Sequence, residues 1–213
     1  VVTTSHGKIS ARDVLVATNG YSTAPLSNAR RRIVPIPSFL FASTPLQQDV
    51  MAALFPKKRM VAESRERHSY YRPSPDNRRI IFGGRAAMFN APDSLAQAEL
   101  RKLARQVFPA FESLELSHFW RGNTGFTFSF LPHVGQIDGV WYAMGYSGSG
   151  NAMAPWLGHK AGQLITDNPE GKTAFQHTPF ETRIWHRGRP WFLPFADLLF
   201  RARDTWNNHR RQR

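Results

Sequence analysis

The 213-residue sequence predicts a mixed α and β fold, with strands through the middle of the chain and helices on either side of them. Three features carry this prediction. The turn sequence Pro75-Asp76-Asn77 separates two strand-like segments, as in an antiparallel hairpin. Residues 94–107 repeat apolar side chains at helical spacing. Residues 140–165 run from an apolar strand through a glycine-rich loop into a helix.

Strands are predicted where short apolar runs lie between turn residues. Residues 14–17 form such a run, which ends at the turn sequence Thr18-Asn19-Gly20. Residues 33–44 are extended because Pro35 and Pro37 exclude a helix, and the two prolines place this segment at a sheet edge or at the entry to a sheet. The other predicted strands are 59–63, 69–73, 79–83, 115–120, 124–130 and 139–144.

Helices are predicted at residues 48–54 and 94–107, and a third follows the glycine-rich loop and ends near Asp167. The helix at 94–107 begins after Pro92-Asp93 or at Ser94 and ends at Pro109. Its predicted apolar stripe consists of Leu95, Ala98, Leu103 and Val107. After Pro169 the sequence is aromatic and basic without regular spacing, so we expect residues 169–213 to form an irregular tail on a surface.

Composition excludes several classes of site. The chain has no Cys, which excludes disulfides, thiolate catalysis and cysteine-ligated metals, and no cluster of ligand residues indicates a metal. No apolar run approaches the roughly 18 residues of a membrane span. The N-terminus lacks the pattern of a signal peptide, and a cytoplasmic location is therefore the default expectation. Because the sequence lacks an initiator Met and opens as the middle of a strand, we expect it to belong to a longer protein.

The chain is basic, with 28 Lys and Arg, 15 Asp and Glu, and a net charge of +13. The basic residues form short clusters between apolar segments, without the repeated basic and aromatic pattern of a nucleic-acid surface. We therefore expect no nucleic-acid partner. A segment separated from an acidic remainder of the same protein would be equally basic.

Gly145, Gly148 and Gly150 precede the helix in residues 140–165. Glycines let the backbone approach a ligand closely, and the unpaired amides of a first helical turn favour an anionic group. The spacing is neither the G-x-G-x-x-G dinucleotide fingerprint nor a P-loop. Tight packing of a helix on a sheet through small residues remains an alternative explanation for these glycines.

Four segments in this order resemble one family. They are ATNGYS at 17–22, YYRPSPDNRRIIFGGRA at 70–86, HFWRGNTGFTFSFLPHVG at 118–135 and GYSGSGNAMAPWLGHKAG at 145–162. Together they resemble the C-terminal half of FAD-dependent oxidoreductases of the D-amino-acid oxidase superfamily. The most similar subgroup is that of the γ-glutamylputrescine oxidoreductase-like and sarcosine-oxidase-like enzymes.

The resemblance implies the C-terminal part of a Rossmann-type FAD domain interleaved with an antiparallel-sheet substrate domain. Residues 1–30 would hold the last strand region of the FAD domain, and 31–130 the substrate domain with one helix. Residues 131–168 would return to the FAD domain through the strand, the glycine-rich loop and the helix. The βαβ unit with the G-x-G-x-x-G loop does not occur in these 213 residues, so the N-terminal half of the same enzyme is the expected partner.

The resemblance also implies FAD as the cofactor and an amine or amino acid as the small-molecule substrate. The expected reaction is hydride transfer from the substrate α-carbon to flavin N5, which gives an imine that water hydrolyses. Backbone donors of the loop and helix would lie at the pyrimidine edge of the flavin, where reduction places negative charge. The expected cofactor-binding residues are Ala17, Thr18, Gly20, Gly148, Ser149, Gly150, Asn151, Ala152 and Met153.

Substrate residues are expected on the predicted strands at 69–73 and 115–120. Tyr71 and Arg72 are neighbours, so alternation turns them to opposite faces, and Tyr71 is predicted to face the substrate. Trp120 is expected to wall the pocket and to act with Tyr71 as a catalytic residue. Arg72, Arg85 or Arg121 could bind a substrate carboxylate through paired hydrogen bonds. A core tyrosine, a core tryptophan and ordinary ion-pair arginines are the alternatives.

Two departures from the family pattern concern the reaction. Many relatives carry an Asp where this chain has Ser129, and a hydroxyl cannot supply the charge of a carboxylate. The covalent flavin link that some relatives make through Cys is excluded here. His118 and His133 could carry protons, but neither has a paired carboxylate in sequence, and solvated or core histidines are favoured. A non-catalytic basic binding module, or an inactive remnant that keeps the substrate-domain fold, is the alternative function.

Overall fold

The computed structural model describes residues 1–22, 26–65, 67–109, 111 and 114–211, with side chains as far as residue 207. The strands are β1 (Val2–Thr4), β2 (Gly7–Ile9), β3 (Leu15–Val16), β4 (Val34–Ser43), β5 (Val61–Ala62), β6 (Ser69–Pro73), β7 (Ile80–Gly84), β8 (Leu116–Phe126), β9 (His133–Ile137) and β10 (Val140–Met144). The helices are α1 (Ser27–Arg30), α2 (Gln48–Leu54), α3 (Asp93–Val107), α4 (Gly150–Ile165) and α5 (Leu193–Arg211).

The chain divides into two units. Unit 1 comprises Val1–Ile36 and Asn123–Pro190, and unit 2 comprises Pro37–Gly122 and Trp191–Arg213. The division is similar in outline to the predicted boundaries at residues 30 and 130, which stay predictions. The predicted tail is split by it, because its residues up to Pro190 belong to unit 1 and the rest to unit 2.

Unit 1 contains a three-stranded sheet in the order β3-β10-β9. Strand β3 runs parallel to β10, with Leu15 opposite Trp141, whereas β9 and β10 form an antiparallel hairpin. Helix α4 packs on the hairpin, and its Leu157 and Ala161 are fully buried in one core with Val134. Strands β1 and β2 form a separate small hairpin.

Unit 2 contains a five-stranded sheet in the order β5-β6-β7-β4-β8, and its strands from β5 to β4 pair antiparallel. The predicted hairpin is confirmed, since β6 and β7 pair around the turn at Pro75-Asp76-Asn77. Strand β4 lies inside the sheet and not at its edge. Its pairing with β7 begins at Phe39, so Pro35 and Pro37 mark the entry to the sheet, where they remove no hydrogen bond from the β7 ladder.

One face of the unit 2 sheet is covered by a hydrophobic core. Phe41 and Phe82 lie opposite each other on neighbouring strands with ring centroids 5.4 Å apart, and both are almost fully buried. Phe39 and Ile80 lie in the same core, as do Met51 of α2 and Leu100 of α3. The predicted substrate domain therefore holds two helices and not one.

The predicted apolar stripe of α3 is wrong in part. Leu95 is 64% exposed and Ala98 is also exposed, whereas the buried residues are Ala96, Leu100, Leu103 and Ala104. These four follow the i, i+4, i+7, i+8 spacing of one helix face. The predicted face contains Leu95 and Leu103, and the buried face contains Leu100 and Leu103. Both pairs have helical spacing, so only the packing against the sheet decides which face is buried.

The break predicted between two strands near residues 121–123 is absent. The separate strands predicted at 115–120 and 124–130 are one strand, β8, which continues through Gly122 and Gly125 and ends at Phe126. A side chain at Gly125 would clash with the amide group of Asn19, so this glycine serves a close approach and not a break in the strand. The short strand β9 was not predicted.

The predicted irregular tail contains a 19-residue helix, α5. Pro194 lies in its first turn, where a proline removes no helical hydrogen bond. One side of α5 is fixed to unit 2 by charge. Arg201 donates to Asp197 Oδ2 and to Glu99 Oε1, each at 2.8 Å, and Asp204 accepts the Arg67 amide at 3.1 Å.

Arg67 lies at the centre of this charged network. Its guanidinium is 7% exposed, donates to the carbonyls of Arg85 and Ala86, and forms ion pairs with Glu99 and Asp197. Burial, and next the nearby charge of Arg201, lower the pKa of Arg67, and the two carboxylates oppose this effect. The network joins α5, α3 and the segment after β7.

Two histidines lie inside unit 1. His133 is 1% exposed, stacks on Phe180 with ring centroids 4.5 Å apart, and lies 3.0 Å from the Ser129 hydroxyl through Nε2. His186 is fully buried beside the Ile33 carbonyl. Burial lowers the pKa of both imidazoles, which favours their neutral forms.

Among the residues whose placement is described, no helix combines the length and the apolar character that crossing a membrane requires.

Asp197→Ala should destabilise unit 2, because it removes a carboxylate from two guanidinium groups, one of them buried. Removal of one partner from a buried ion pair costs about 3–5 kcal/mol, and we expect the lower end because Glu99 remains. Denaturant unfolding measures the loss. The exposed Glu115 of the same unit provides the control, and Glu115→Ala should change the free energy of unfolding by less than about 0.5 kcal/mol. Equal losses in the two variants would contradict the role of the network.

Acidification from about pH 7.5 to about pH 5.5 should lower the melting temperature. The unfolded chain binds protons at His133 and His186 near the ordinary pKa of about 6.5, whereas the folded chain binds them only at lower pH. Stability is therefore greatest above pH 6.5 and is lost as the pH falls below it. The fall should be smaller in His133→Gln than in the wild type, and His118→Gln, at an exposed histidine, is the control for the substitution itself. The same fall in all three proteins would show that buried His133 does not cause it.

Candidate functional site

The candidate cofactor site in unit 1 begins where β3 and β10 end. The two strands are parallel, so their carboxyl ends lie at the same edge of the sheet, which is where ligands bind in parallel sheets. A short 3-10 turn, Asn19–Tyr21, comes after β3, and the glycine-rich loop follows β10 and leads into α4. Both segments were predicted to hold the cofactor.

Asn19 joins these two segments. Its side-chain Oδ1 accepts the Gly145 amide at 2.9 Å, and its backbone has a φ of 44°, a conformation that Asn tolerates better than most residues. On the other side of the loop, the Ser147 amide donates to the Gly125 carbonyl at 2.9 Å. The loop is therefore held from the β3 turn and from β8. Asn19 lies in the predicted ATNGYS motif but was not predicted as a functional residue.

The glycines of the loop have different roles. Gly145 is buried with a φ of 85°, and a side chain there would clash with the Thr127 methyl group. Gly148 has a φ of 101°, and a side chain there would meet no atom within 4 Å. Gly150 has ordinary φ and only ordinary contact with Tyr146 at 3.7 Å. Gly145 thus serves the fold, whereas Gly148 faces open space and a side chain at Gly150 would fit in ordinary contact with Tyr146.

The N-terminus of α4 presents free donors to that space. The amides of Ala152 and Met153 donate to the Ser149 carbonyl at 3.3 and 3.0 Å, and the Ser149 side chain caps no amide. Within the described part of the chain, no hydrogen-bond acceptor is found for the amides of Gly148, Gly150 and Asn151. Gly148, Ser149, Asn151 and Ala152 are exposed. Such amides, at the positive end of a 16-residue helix, suit an acceptor-rich, anionic edge.

This arrangement fits the pyrimidine edge of a flavin. The edge offers carbonyl and nitrogen acceptors and gains negative charge on reduction. It needs free backbone donors, which the amides of Gly148, Gly150 and Asn151 supply, and a side chain at Gly148 would meet no atom within 4 Å. Met153 is half-buried and packs against the core of unit 1, which gives it a packing role beside the predicted cofactor contact.

The other three predicted cofactor residues lie around the β3 turn. Ala17 and Thr18 are exposed, and the Thr18 hydroxyl lies 2.9 Å from that of Ser22. Gly20 is buried, and a side chain there would come within 2.8 Å of the Asn123 carbonyl. The structure thus gives Gly20 a packing role and leaves Ala17 and Thr18 accessible.

Tyr71 lies on the core face of the unit 2 sheet. Its ring stacks on Phe82 at 5.7 Å and meets the edge of Phe108 at 5.4 Å. Burial raises the pKa of its hydroxyl, and the nearby carboxylate of Glu63 raises it further. Tyr71 is therefore packed as a core tyrosine, which was the alternative to the predicted position facing the substrate.

Tyr70, which was not predicted, occupies the opposite face. Its hydroxyl forms a 2.5 Å hydrogen bond with Ser38, and its ring covers Gly83 on the neighbouring strand, where a side chain would clash with it. Burial lowers the pKa of Arg85, and its interaction with Tyr70 opposes this effect. The residue that could have revealed this arrangement is Gly83, which leaves room for a ring on that face.

The predicted Arg72, Trp120 and Arg121 are exposed to different extents. Alternation places Arg72 on the face of Tyr70. Trp120 is 41% exposed and follows Phe119, which stacks on Phe39 in the core, so Trp120 is turned to the other face as well. Arg121 donates to the Ala91 carbonyl at 3.1 Å and lies 3.4 Å from Asp93, which is the ion-pair alternative for this residue.

Ser129 lies in the turn after β8. Its hydroxyl is 3.0 Å from His133 Nε2 and 3.3 Å from the Thr127 hydroxyl. His133 is buried in the core, and His118 is exposed, with its Nδ1 2.9 Å from the Ser117 hydroxyl. Both positions agree with the favoured prediction of core or solvated histidines. Among the described residues, no group of three or more His, Cys, Asp or Glu side chains could hold a metal.

Comparison with known proteins identifies one family. The family described as FAD dependent oxidoreductase (DAO) matches residues 1–164. Gamma-glutamylputrescine oxidoreductase of Escherichia coli (strain K12) is 29% identical over 200 residues, which are 93% of this chain and 46% of that protein. A probable oxidoreductase OrdL of Haemophilus influenzae is 30% identical over 184 residues, 82% of this chain and 41% of that protein. The chain thus spans less than half the length of these curated relatives.

Solved structures share the fold. A thermally stable mutant of fructosyl peptide oxidase superposes with a TM-score of 0.65 at 16% identity, over 88% of this chain and 50% of that one. L-Proline dehydrogenase from P. horikoshii gives 0.60 at 23% identity, over 80% and 46%. Glycine oxidase from Geobacillus kaustophilus gives 0.58 at 20% identity, over 84% and 47%.

The predicted resemblance is confirmed, and the reading of the chain as a non-catalytic basic module is not favoured. FAD is the cofactor of the matching family. The chain belongs to the DAO family of FAD dependent oxidoreductases.

Proposed function

We propose that the full-length protein oxidises an amine or an amino acid with FAD. The observation that carries this proposal is the set of accessible backbone amides at Gly148, Gly150 and Asn151, at the N-terminus of α4. The names of its relatives support a nitrogen-containing substrate, since one is an oxidoreductase of gamma-glutamylputrescine. We also propose a cytoplasmic location, and a dinucleotide-binding N-terminal half in the same protein.

The residues that would hold the flavin edge are those of the glycine-rich loop and the first turn of α4. When bound, FAD would accept a hydride at N5 from the substrate α-carbon, and water would hydrolyse the resulting imine. The amides and the α4 dipole would stabilise negative charge at the pyrimidine edge. Asn19 would hold the loop in place through the Gly145 amide. Ala17 and Thr18 would lie at the neighbouring strand end.

We propose that the substrate meets the face of the unit 2 sheet that carries Tyr70. This face also carries Arg72 and Trp120, which were predicted as substrate-binding and catalytic residues. Arg85 adds a partly buried cation near the Tyr70 hydroxyl, which suits a carboxylate on the substrate. The sequence-based assignment of Tyr71 and Arg121 to the substrate is weakened by the core packing of Tyr71 and the ion pair of Arg121.

Purification of the full-length protein tests the function directly. The purified protein should show the absorbance of bound flavin. In the absence of oxygen, at least one compound from a panel of amino acids and of primary, secondary and N-methyl amines should bleach this absorbance. A colourless protein that takes up no added FAD would contradict the proposal.

Gly150→Val should lower flavin occupancy in the full-length protein and leave its melting temperature nearly unchanged. The added side chain would lie beside the free amides in ordinary contact with Tyr146, and position 150 has no strained backbone. Gly145→Ala provides the contrast, because it combines a positive φ with a clash and should lower stability first. Flavin absorbance per protein and thermal melts are the measurements. Equal loss of folding and flavin in Gly150→Val would favour the packing explanation.

Tyr70→Phe should lower turnover several-fold, whereas Tyr71→Phe should leave the kinetics unchanged. Each substitution keeps the ring and removes one hydroxyl, and a neutral hydrogen bond contributes roughly 0.5–1.5 kcal/mol. Steady-state kinetics on the amine panel, with melts of both variants, distinguish the two faces. Selective catalytic loss in Tyr71→Phe would restore the original assignment of Tyr71 to the substrate.

A further inference from the structure

The chain leaves β7 at Gly84, where its pairing with β6 and its pairing with β4 both end. Residues 85–91 then have no regular secondary structure, although most of them are buried. The carbonyls of Arg85 and Ala86 lie just beyond the paired part of the strand. A buried carbonyl without a donor is costly, so these two groups need donors from elsewhere in the fold.

Two guanidinium groups supply those donors. Arg67 donates to the Arg85 carbonyl and to the Ala86 carbonyl, each at 2.8 Å. Arg201 of α5 donates to the Ala86 carbonyl at 2.6 Å. A planar guanidinium can bridge neighbouring acceptors in a fixed geometry, which a flexible lysine ammonium does not reproduce. The main chain at residues 85 and 86 is thus held by side chains from two other segments of unit 2.

The two guanidinium groups are themselves fixed by carboxylates. Glu99 Oε1 accepts from Arg67 at 3.3 Å and from Arg201 at 2.8 Å. Asp197 Oδ2 accepts from Arg201 at 2.8 Å, and its Oδ1 lies 3.6 Å from Arg67 Nε. Arg67 is 6% exposed and Asp197 is 3% exposed, so solvent ions screen their pairing little. The place of the Arg85 main chain therefore depends on α3 and α5 through this network.

The side chain of Arg85 is turned to the sheet face of Tyr70. Ile80 and Phe82 of β7 lie in the core, so alternation places Gly83 and then Arg85 on the other face. Arg85 is half-buried, and its charge interacts with Tyr70, which agrees with that side. Paired hydrogen bonds between a guanidinium and a carboxylate depend on the orientation of the planar fork. A small displacement of the main chain at residue 85 would therefore weaken such a pair.

We propose that Arg67 is a positioning residue for substrate recognition. By holding the main chain of Arg85, it would set the Arg85 guanidinium against a carboxylate of the substrate, and the protein would prefer amines that carry a carboxylate. This inference rests on the proposed function and on the substrate face given there. Arg67 acts only through Arg85, because its own guanidinium is engaged by two carbonyls and two carboxylates.

Titration calorimetry of the full-length protein with butyrate and with butyramide tests the carboxylate preference without turnover. The two probes have nearly the same shape, and only butyrate is charged. The wild type should bind butyrate at least several-fold more tightly than butyramide, and Arg85→Gln should remove this preference. Arg67→Lys should reduce the preference several-fold, because lysine keeps the charge and loses the bridge between the two carbonyls.

Steady-state kinetics separate positioning from folding. Arg67→Lys should raise the KM of a carboxylate-bearing substrate several-fold, with kcat within about twofold and the KM of an amine without a carboxylate unchanged. Arg201→Lys alters only the second donor to the Ala86 carbonyl and should act in the same direction more weakly, which keeps the test available if Arg67→Lys does not fold. Arg101→Lys is the matched control, since Arg101 donates to the Leu114 carbonyl at 2.6 Å elsewhere in unit 2, and it should change neither measurement.

Equal affinity of the wild type for butyrate and butyramide would overturn the proposal, as would a preference that both Arg67→Lys and Arg201→Lys leave unaltered. Equal weakening of both probes in Arg67→Lys would also overturn it, because that result indicates a general loss of structure. A butyrate preference that Arg67→Lys reduces, in a protein that oxidises no amine, would support the positioning role and contradict the proposed function.

Discussion

The hydrogen bond from the Gly145 amide to Asn19 Oδ1 connects the ends of two parallel strands, and the arrangement of unit 1 around α4 depends on it. Gly125 must lack a side chain because Asn19 occupies that space, and Gly20 must lack one because Asn123 is so close. Gly145 has no room because of Thr127. Three glycines thus allow close approach of backbone segments, and the loop beyond them is left free to present its amides.

The two faces of the unit 2 sheet have different surroundings. Tyr71 lies opposite Phe82 and extends the aromatic core, whereas Tyr70 lies opposite Gly83 on the other face. Neighbouring tyrosines therefore have different environments, one among rings and the other hydrogen-bonded to the Ser38 hydroxyl. The assignment of a role to either residue follows from which face the core covers.

Much of this fold could be predicted from the sequence. The turn at Pro75-Asp76-Asn77 and the strand, loop and helix of residues 140–165 have strong local signals, and both are confirmed. Long-range contacts account for the misses. The sequence around Tyr71 alternates equally well for either face, and only the packing of α3 and Phe108 decides between them. The aromatic and basic composition after Pro169 favours an irregular tail, whereas helix α5 is attached to unit 2 by long-range ion pairs of Arg201 with Glu99 and of Asp197 with Arg67, which the sequence does not reveal.

The hydroxyl at Ser129 is matched to the buried imidazole beside it. Burial keeps His133 neutral, and a neutral imidazole and a hydroxyl can share a hydrogen bond without any net charge in the core. A carboxylate at position 129 would lie about as close to this ring and would favour its protonated form, which would place an ion pair in the interior of unit 1. The pair found here avoids that cost. It also means that this turn supplies no negative charge to the loop after β10, so the positive end of α4 has no fixed anion in the turn and remains available to a ligand.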